Sequence, residues 1–237
     1  MIAPRWLIWV VGVGLLGLLA LFPLRVALGA ADLERMGLTA RKVSGTIWSG
    51  QIGGLALDRQ GLGNFNVGVE PLPLLAGRAS IRFDRIEDQL QGPLSGTLLS
   101  GGASRGVKGL TGRLATASLF APIPVEALDF DRVNIVFRNG ECAQASGNLT
   151  ALVGTRIGPL DLTRGLSGPI SCEGDRVRAR LASAGGGEFI QFYLAADGRY
   201  RAFMTIRSVA PEIGAALTLF GFEPGPDGFT LTTSNKL

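Results

Sequence analysis

From Trp6 to Leu24 the chain reads WLIWVVGVGLLGLLALFPL, 19 consecutive residues without a charge. About 20 apolar residues are enough to carry a helix across the hydrocarbon of a bilayer. The run is therefore read as a single transmembrane helix, with Arg5 and the amino terminus before it, Trp6 and Trp9 at interface depth, and Pro23 ending the helical stretch. The expected orientation leaves the N-terminus in the cytoplasm, although Arg25, Arg35, Arg41 and Lys42 beyond the run oppose it under the positive-inside rule. A cleavable signal peptide is the competing reading, since Ala27-Leu28-Gly29 offers small residues where a signal peptidase cuts. Both readings export the remainder. The expected division is a cytoplasmic stub and anchor over 1–29 and a periplasmic domain over 30–237.

That remainder must fold around a core, because hydrophobic residues make up 46% of the chain and charged residues only 18%. Histidine is absent, which removes Ser-His-Asp and Cys-His nucleophile arrangements and His-containing zinc sites. Asp84, Glu87 and Asp88 cluster, as do Asp129 and Asp131, but no base or metal ligand accompanies them. Ser49 lies outside any GxSxG elbow. The reading is that the protein is not an enzyme, with no catalytic residue, cofactor or metal. A net charge of +4, from 23 basic against 19 acidic residues, is not the concentrated basic face of a nucleic-acid binder. The Gly-rich stretch Gly101–Gly109 lacks the GK[ST] ending of a phosphate loop and reads as a surface loop.

Only two cysteines occur, Cys142 and Cys172. Without CxxC spacing or further ligands they do not form a metal site, and in an oxidising compartment they are expected to form a disulfide, the alternative being two buried free thiols.

Beyond residue 30 the recurring signal is alternation with period two, the mark of strands with one covered face. In Arg176–Leu181, Val177, Ala179 and Leu181 oppose Arg176, Arg178 and Arg180, the arginines forming a solvated face. In Tyr200–Arg207, Tyr200, Ala202, Met204 and Ile206 form the apolar side. Ser80–Ile86 alternates less cleanly. Asn139-Gly140 and Asp197-Gly198 supply the positive φ of tight hairpin turns, which predicts hairpins around 133–148 and 188–207. Glu173-Gly174-Asp175 joins a further pair. A polar-Gly-x-apolar string recurs at Ser44, Gln91, Ser95, Thr111, Ser146 and Ser167, each read as opening a strand. Pro211 starts a short helix to about 220 that presents Ile213, Leu217 and Phe220 on one face and ends at Gly221. A second helix is expected over 30–36, and a closing strand over Phe229–Thr233. The fold class is mainly β: the transmembrane helix, then a curved antiparallel meander with one short C-terminal helix.

Val43-Ser44-Gly45-Thr46-Ile47-Trp48-Ser49-Gly50, following one membrane segment, resembles the VxGTxWxG signature of the type II secretion system protein N (GspN) family. Glu70-Pro71-Leu72-Pro73-Leu74-Leu75-Ala76-Gly77 resembles that family's Pro, Leu-Leu, Gly segment, and Leu166–Cys172 its LxGxxxC element. The resemblance spans about 1–233. It implies an accessory secretion subunit, anchored in the inner membrane with its bulk in the periplasm, that touches other secretion subunits and performs no catalysis. Val43, Gly45, Thr46, Trp48, Gly50, Pro71 and Gly77 are the candidate interaction or motif residues. In general style the chain also resembles AsmA-like and lipopolysaccharide-transport proteins, whose apolar grooves carry lipid acyl chains. That alternative requires a groove running over several strands, whereas a contact subunit requires a packed core.

Overall fold

The computed structural model describes Trp9, Gly14, Gly17, Leu18 and residues 20–30, 37–57, 60–86, 92–116, 119–154, 156–157, 160–161, 165–207 and 210–236. By internal contact the chain divides into two compact units, Met1–Glu87 and Asp88–Leu237.

In the first unit, α1 (Leu24–Ala30) precedes β1 (Leu38–Thr39), β2 (Lys42–Gly45), β3 (Gly50–Leu57), β4 (Gln60–Val69), α2 (Pro71–Leu75) and β5 (Ala79–Arg85). The strands are antiparallel in the order β1-β3-β4-β5, with β2 also pairing β3. Ile52 and Phe65 sit opposite each other on β3 and β4 and are buried. Arg85 is buried as well, at 4% exposure, with its guanidinium 5.3 Å over the Phe65 ring. Burial pulls its pKa below the usual arginine value.

Most of the expected Trp6–Leu24 span lies outside the described residues. Within it, Trp9, Gly14, Gly17, Leu18 and Ala20 are helical. The helical run stops at Phe22 and Pro23, as the proline dictates. No helix among the described residues is long and apolar enough to cross a membrane. Residues 31–36 of the expected second helix lie outside the described residues too.

The second unit is the meander that the turn chemistry predicts. β6 (Leu94–Gly101), β7 (Ser104–Ala115), β8 (Val125–Arg138), β9 (Glu141–Val153), β12 (Leu166–Glu173), β13 (Arg176–Ala182), β14 (Glu188–Leu194), β15 (Arg199–Ile206), β17 (Gly228–Lys236) and β16 (Glu223–Gly225) follow one another across an antiparallel sheet. β10 (Arg156–Ile157) and β11 (Leu160–Asp161) form a separate two-stranded ladder. Asn139 and Gly140 adopt φ of 53° and 87° in the β8–β9 turn, which is the hairpin geometry their types favour. The β12–β13 and β14–β15 hairpins also lie where expected.

Alternation sets the core. Val177, Ala179 and Leu181 of β13 and Tyr200, Ala202, Met204 and Ile206 of β15 are buried. They join Val133, Leu149, Ala151, Leu166 and Ile190 in one cluster. The segment after β7 folds over this face: Phe120 meets Phe192 and Tyr200 edge-on at 5.7 and 5.4 Å. The Tyr200 hydroxyl donates to the Leu119 carbonyl. α3 (Pro211–Leu219) adds Leu217, fully buried, and the chain turns off it at Gly221, φ 87°.

Three local expectations are corrected. Phe220 is 62% exposed, and Phe222 takes its place in the core at 2%, because the Phe222 amide turns back to the Leu217 carbonyl and redirects the chain. Gly101–Gly109 is mostly strand, the end of β6 and the start of β7 around a turn at Gly102 and Ala103. The polar-Gly strings do not all open strands: Ser44-Gly45 closes β2, and Ser146-Gly147 lies inside β9. There Gly147, at φ 109°, faces the Arg132 carbonyl where β8 and β9 shift register, so its role is close approach at a bulge.

Cys142 on β9 and Cys172 on β12 are disulfide-bonded, with Cα atoms 5.6 Å apart. The β9–β12 ladder runs from Leu166↔Ala151 to Pro169↔Asn148. Proline has no N–H to donate, and beyond it the disulfide joins the two strands instead.

Candidate functional site

The VSGTIWSG string is built as a joint. β2 and β3 pair through Gly45↔Gly50, and the four residues between them turn with Thr46 N donating to Ser49 O at 3.1 Å and Ser49 N to Thr46 Oγ1 at 3.3 Å. Gly45 sits at φ 87°, and a Cβ there would stand 2.5 Å from the Ser49 carbonyl oxygen. Only glycine fits without strain. Gly50 is buried because Leu24 lies on it: a Cβ at 50 would meet Leu24 Cδ2 at 2.5 Å, and Leu24 is 4% exposed.

The turn is hydrogen-bonded on both sides. Ile47 N donates to the Phe22 carbonyl at 3.0 Å, Val69 N donates to the Ile47 carbonyl at 2.8 Å, and Pro23 bridges Thr46. One residue thus couples the end of the apolar N-terminal run to the end of β4. Gly68 makes room for it, since a Cβ there would stand 2.5 Å from the Trp48 carbonyl oxygen.

Beside the joint opens a groove of about 460 Å³, lined by Gly45, Trp48, Gly50, Gln51, Asn66, Arg82, Phe83 and Asp84 among others. The indole of Trp48 is half-buried. Gln51 Nε2 donates to Asn66 Oδ1 at 3.2 Å. Glu70 accepts from Ser80 Oγ at 2.8 Å and from Arg82 at 3.2 Å, and these bonds, led by Ser80, hold its carboxyl below its ordinary pKa.

The structure gathers Gly45, Trp48 and Gly50 at the groove. Val43 is half-buried opposite Ile52. Pro71 opens α2 and Gly77, at φ 65°, closes the turn after it, outside the groove. Of the groove contributors on β4 and β5, Asn66, Arg82 and Phe83 were not singled out from sequence, and Asp84 was weighed only as part of an acidic cluster with Glu87 and Asp88. The strand positions of Arg82–Asp84 could have suggested them, but their meeting with Trp48 depends on pairing across the sheet. Elsewhere, Asp129 is held by Arg113 at 2.6 Å and Asp131 by Arg132 at 3.2 Å. On β13, Arg178 pairs with Glu173 at 3.4 Å and Arg180 lies 5.7 Å over the Phe189 ring.

Among the described residues the inner face of the second unit is a packed apolar cluster. Its apolar hollow, lined by residues such as Phe120, Leu149, Ile190 and Phe192, measures about 30 Å³. That admits a molecule or two of water size, far below the roughly 300–1,000 Å³ of ligand pockets.

Antiparallel strands throughout the described residues, with an open surface groove at a glycine-tryptophan joint, define a mainly β protein. Residues 36–232 match the profile of the family described as type II secretion system, protein N, and the chain belongs to that family. No curated protein and no solved structure matches it. Membership gives the chain an accessory role in type II secretion.

Proposed function

We propose that this protein is an inner-membrane-anchored, periplasmic subunit of the type II secretion system that supports export of folded proteins by contact with other subunits, without catalysis, cofactor or nucleic acid. Family membership over 36–232 carries the reading. The packed core favours contact over the acyl-chain alternative, because the apolar hollow among its described residues, about 30 Å³, is too small for a lipid tail. The joint favours a retained anchor over a cleaved signal peptide. Cleavage after Gly29 would strip Leu24 from Gly50 and the Phe22 carbonyl from Ile47, leaving a buried apolar site and a backbone donor open.

The test is deletion of the gene with quantification of secreted enzymes in medium and periplasm. Periplasmic accumulation, reversed by the full-length gene, is expected. Normal secretion with an outer-membrane lipid defect would replace this reading by the lipid-transfer one.

A further inference from the structure

Three exposed leucines of the first unit sit together. On α2, Leu72 is 78% exposed, Leu75 87% and Leu74 38%, inside the uncharged string Pro71–Gly77 that Arg78 closes. A lone exposed leucine needs no explanation, but three within four residues on a short projecting connection do.

The position of α2 says what covers them. Its strand, β4, ends at Val69, whose amide reaches the Ile47 carbonyl, while the Ile47 amide reaches the Phe22 carbonyl. The tip therefore leaves the sheet at the end where the apolar N-terminal run arrives. The chain then runs away from that end: Leu24 lies on Gly50 at the near end of β3, and Leu38 pairs with Leu57 at the far end. Phe22, where the apolar run reaches the sheet, thus lies at the end from which α2 leaves it. There the nearby acid, Glu70, is tied by Ser80 and Arg82, and Arg78 is exposed, a charge that suits anionic headgroups.

We propose that α2 is a second membrane contact: Leu72, Leu74 and Leu75 insert into the interfacial layer of the bilayer that the apolar N-terminal run enters. The inference rests on the anchored reading above. It makes the first unit a body held at two points, so that the Trp48 groove stands at a fixed height above the membrane. Burying the tip roughly 5–10 Å into the headgroup and acyl boundary is the depth that interfacial elements reach.

The test uses the full-length protein in vesicles of phosphatidylethanolamine and phosphatidylglycerol, with a nitroxide on L75C and, separately, on G61C. The native cysteines are disulfide-bonded, so only the introduced thiol reacts. Gly61 lies at the far end of β4 opposite Ala56, with open space around its Cβ position. On L75C, oxygen collisions are expected to rise and collisions with a water-soluble nickel complex to fall several-fold relative to G61C. Equal nickel access at both sites, with the protein still resistant to alkaline carbonate extraction, would overturn the second contact and leave the anchor standing. Nickel shielding without the gain in oxygen would mean a protein covers the tip, which also overturns it. Carbonate extraction of the protein would remove the anchor and the proposal together.

Discussion

Replacing both cysteines, C142A with C172A, tests what the disulfide contributes. Cys172 is exposed and Cys142 half-buried, so little apolar area is lost and the loop term dominates. The bridge closes a loop of sequence separation 30. In the chain-entropy model a loop of that length restricts the unfolded chain by about 3.5–4 kcal/mol. Residual structure in the reduced unfolded chain returns some of this. A loss of about 3 kcal/mol is therefore expected. For a unit of this size that corresponds to a fall in Tm of roughly 6–12 °C. The assay is urea and thermal unfolding of the full-length protein in detergent, followed by far-UV circular dichroism and by tyrosine signal, since Tyr193 and Tyr200 both lie in the second unit. Wild-type protein under reductant should match the double variant. A loss below about 1 kcal/mol would refute the loop argument and show that the unfolded chain is already restricted without the bridge.

Leu217→Ala should cost about 2–5 kcal/mol in the same unfolding assay, because the side chain is fully buried. Leu219→Ala, two positions on and 90% exposed, should change stability by less than about 0.5 kcal/mol. Gly45→Ala forces a side chain into φ 87° and against the Ser49 carbonyl; a cost of about 2 kcal/mol is expected, read as faster hydrogen exchange at the Ile47 and Val69 amides. Burial raises the pKa of Tyr200, so its contribution is complete below the unfolded value of about 10 and is lost as pH rises through the higher folded value. Tyr200→Phe should flatten that alkaline limb in pH-dependent melts while costing about 0.5–1.5 kcal/mol at neutral pH, for the bond to Leu119.

What could be read from the sequence was what is encoded locally. Asn139-Gly140 and Asp197-Gly198 placed two hairpins because positive φ is a property of those residues themselves. The alternation of Arg176–Leu181 and Tyr200–Ile206 placed a core because a strand's two faces are fixed by its backbone. Phe220 and Phe222 show the limit: both are apolar, and only the turn back to Leu217 decides which one is covered. The glycines show another. In Gly101–Gly109 they hid two strands, since glycine carries no side chain to alternate, and at Gly147 a residue read as a strand entry serves a bulge set by the partner strand.

The site was legible in the same divided way. Gly45, Thr46, Trp48 and Gly50 were marked by their string, but the reason for the string lies in residues distant along the chain. Gly45 is needed because Ser49 returns across it, and Gly50 because Leu24 lies on it. Thr46 and Ile47 are needed because Pro23, Phe22 and Val69 meet there. The motif that could be taken for a docking sequence is first a structural joint, and its groove is a consequence of that joint. A substitution at Gly50 would therefore disturb the seating of Leu24 and the Trp48 groove together, so a secretion defect from it would not identify a partner surface. Substitutions confined to exposed groove atoms, Asn66→Ala above all, would separate the two: Asn66 is exposed on β4 and its side chain accepts from Gln51, away from the bonds that tie the joint, so the joint survives its loss and any defect in secretion reports on contact.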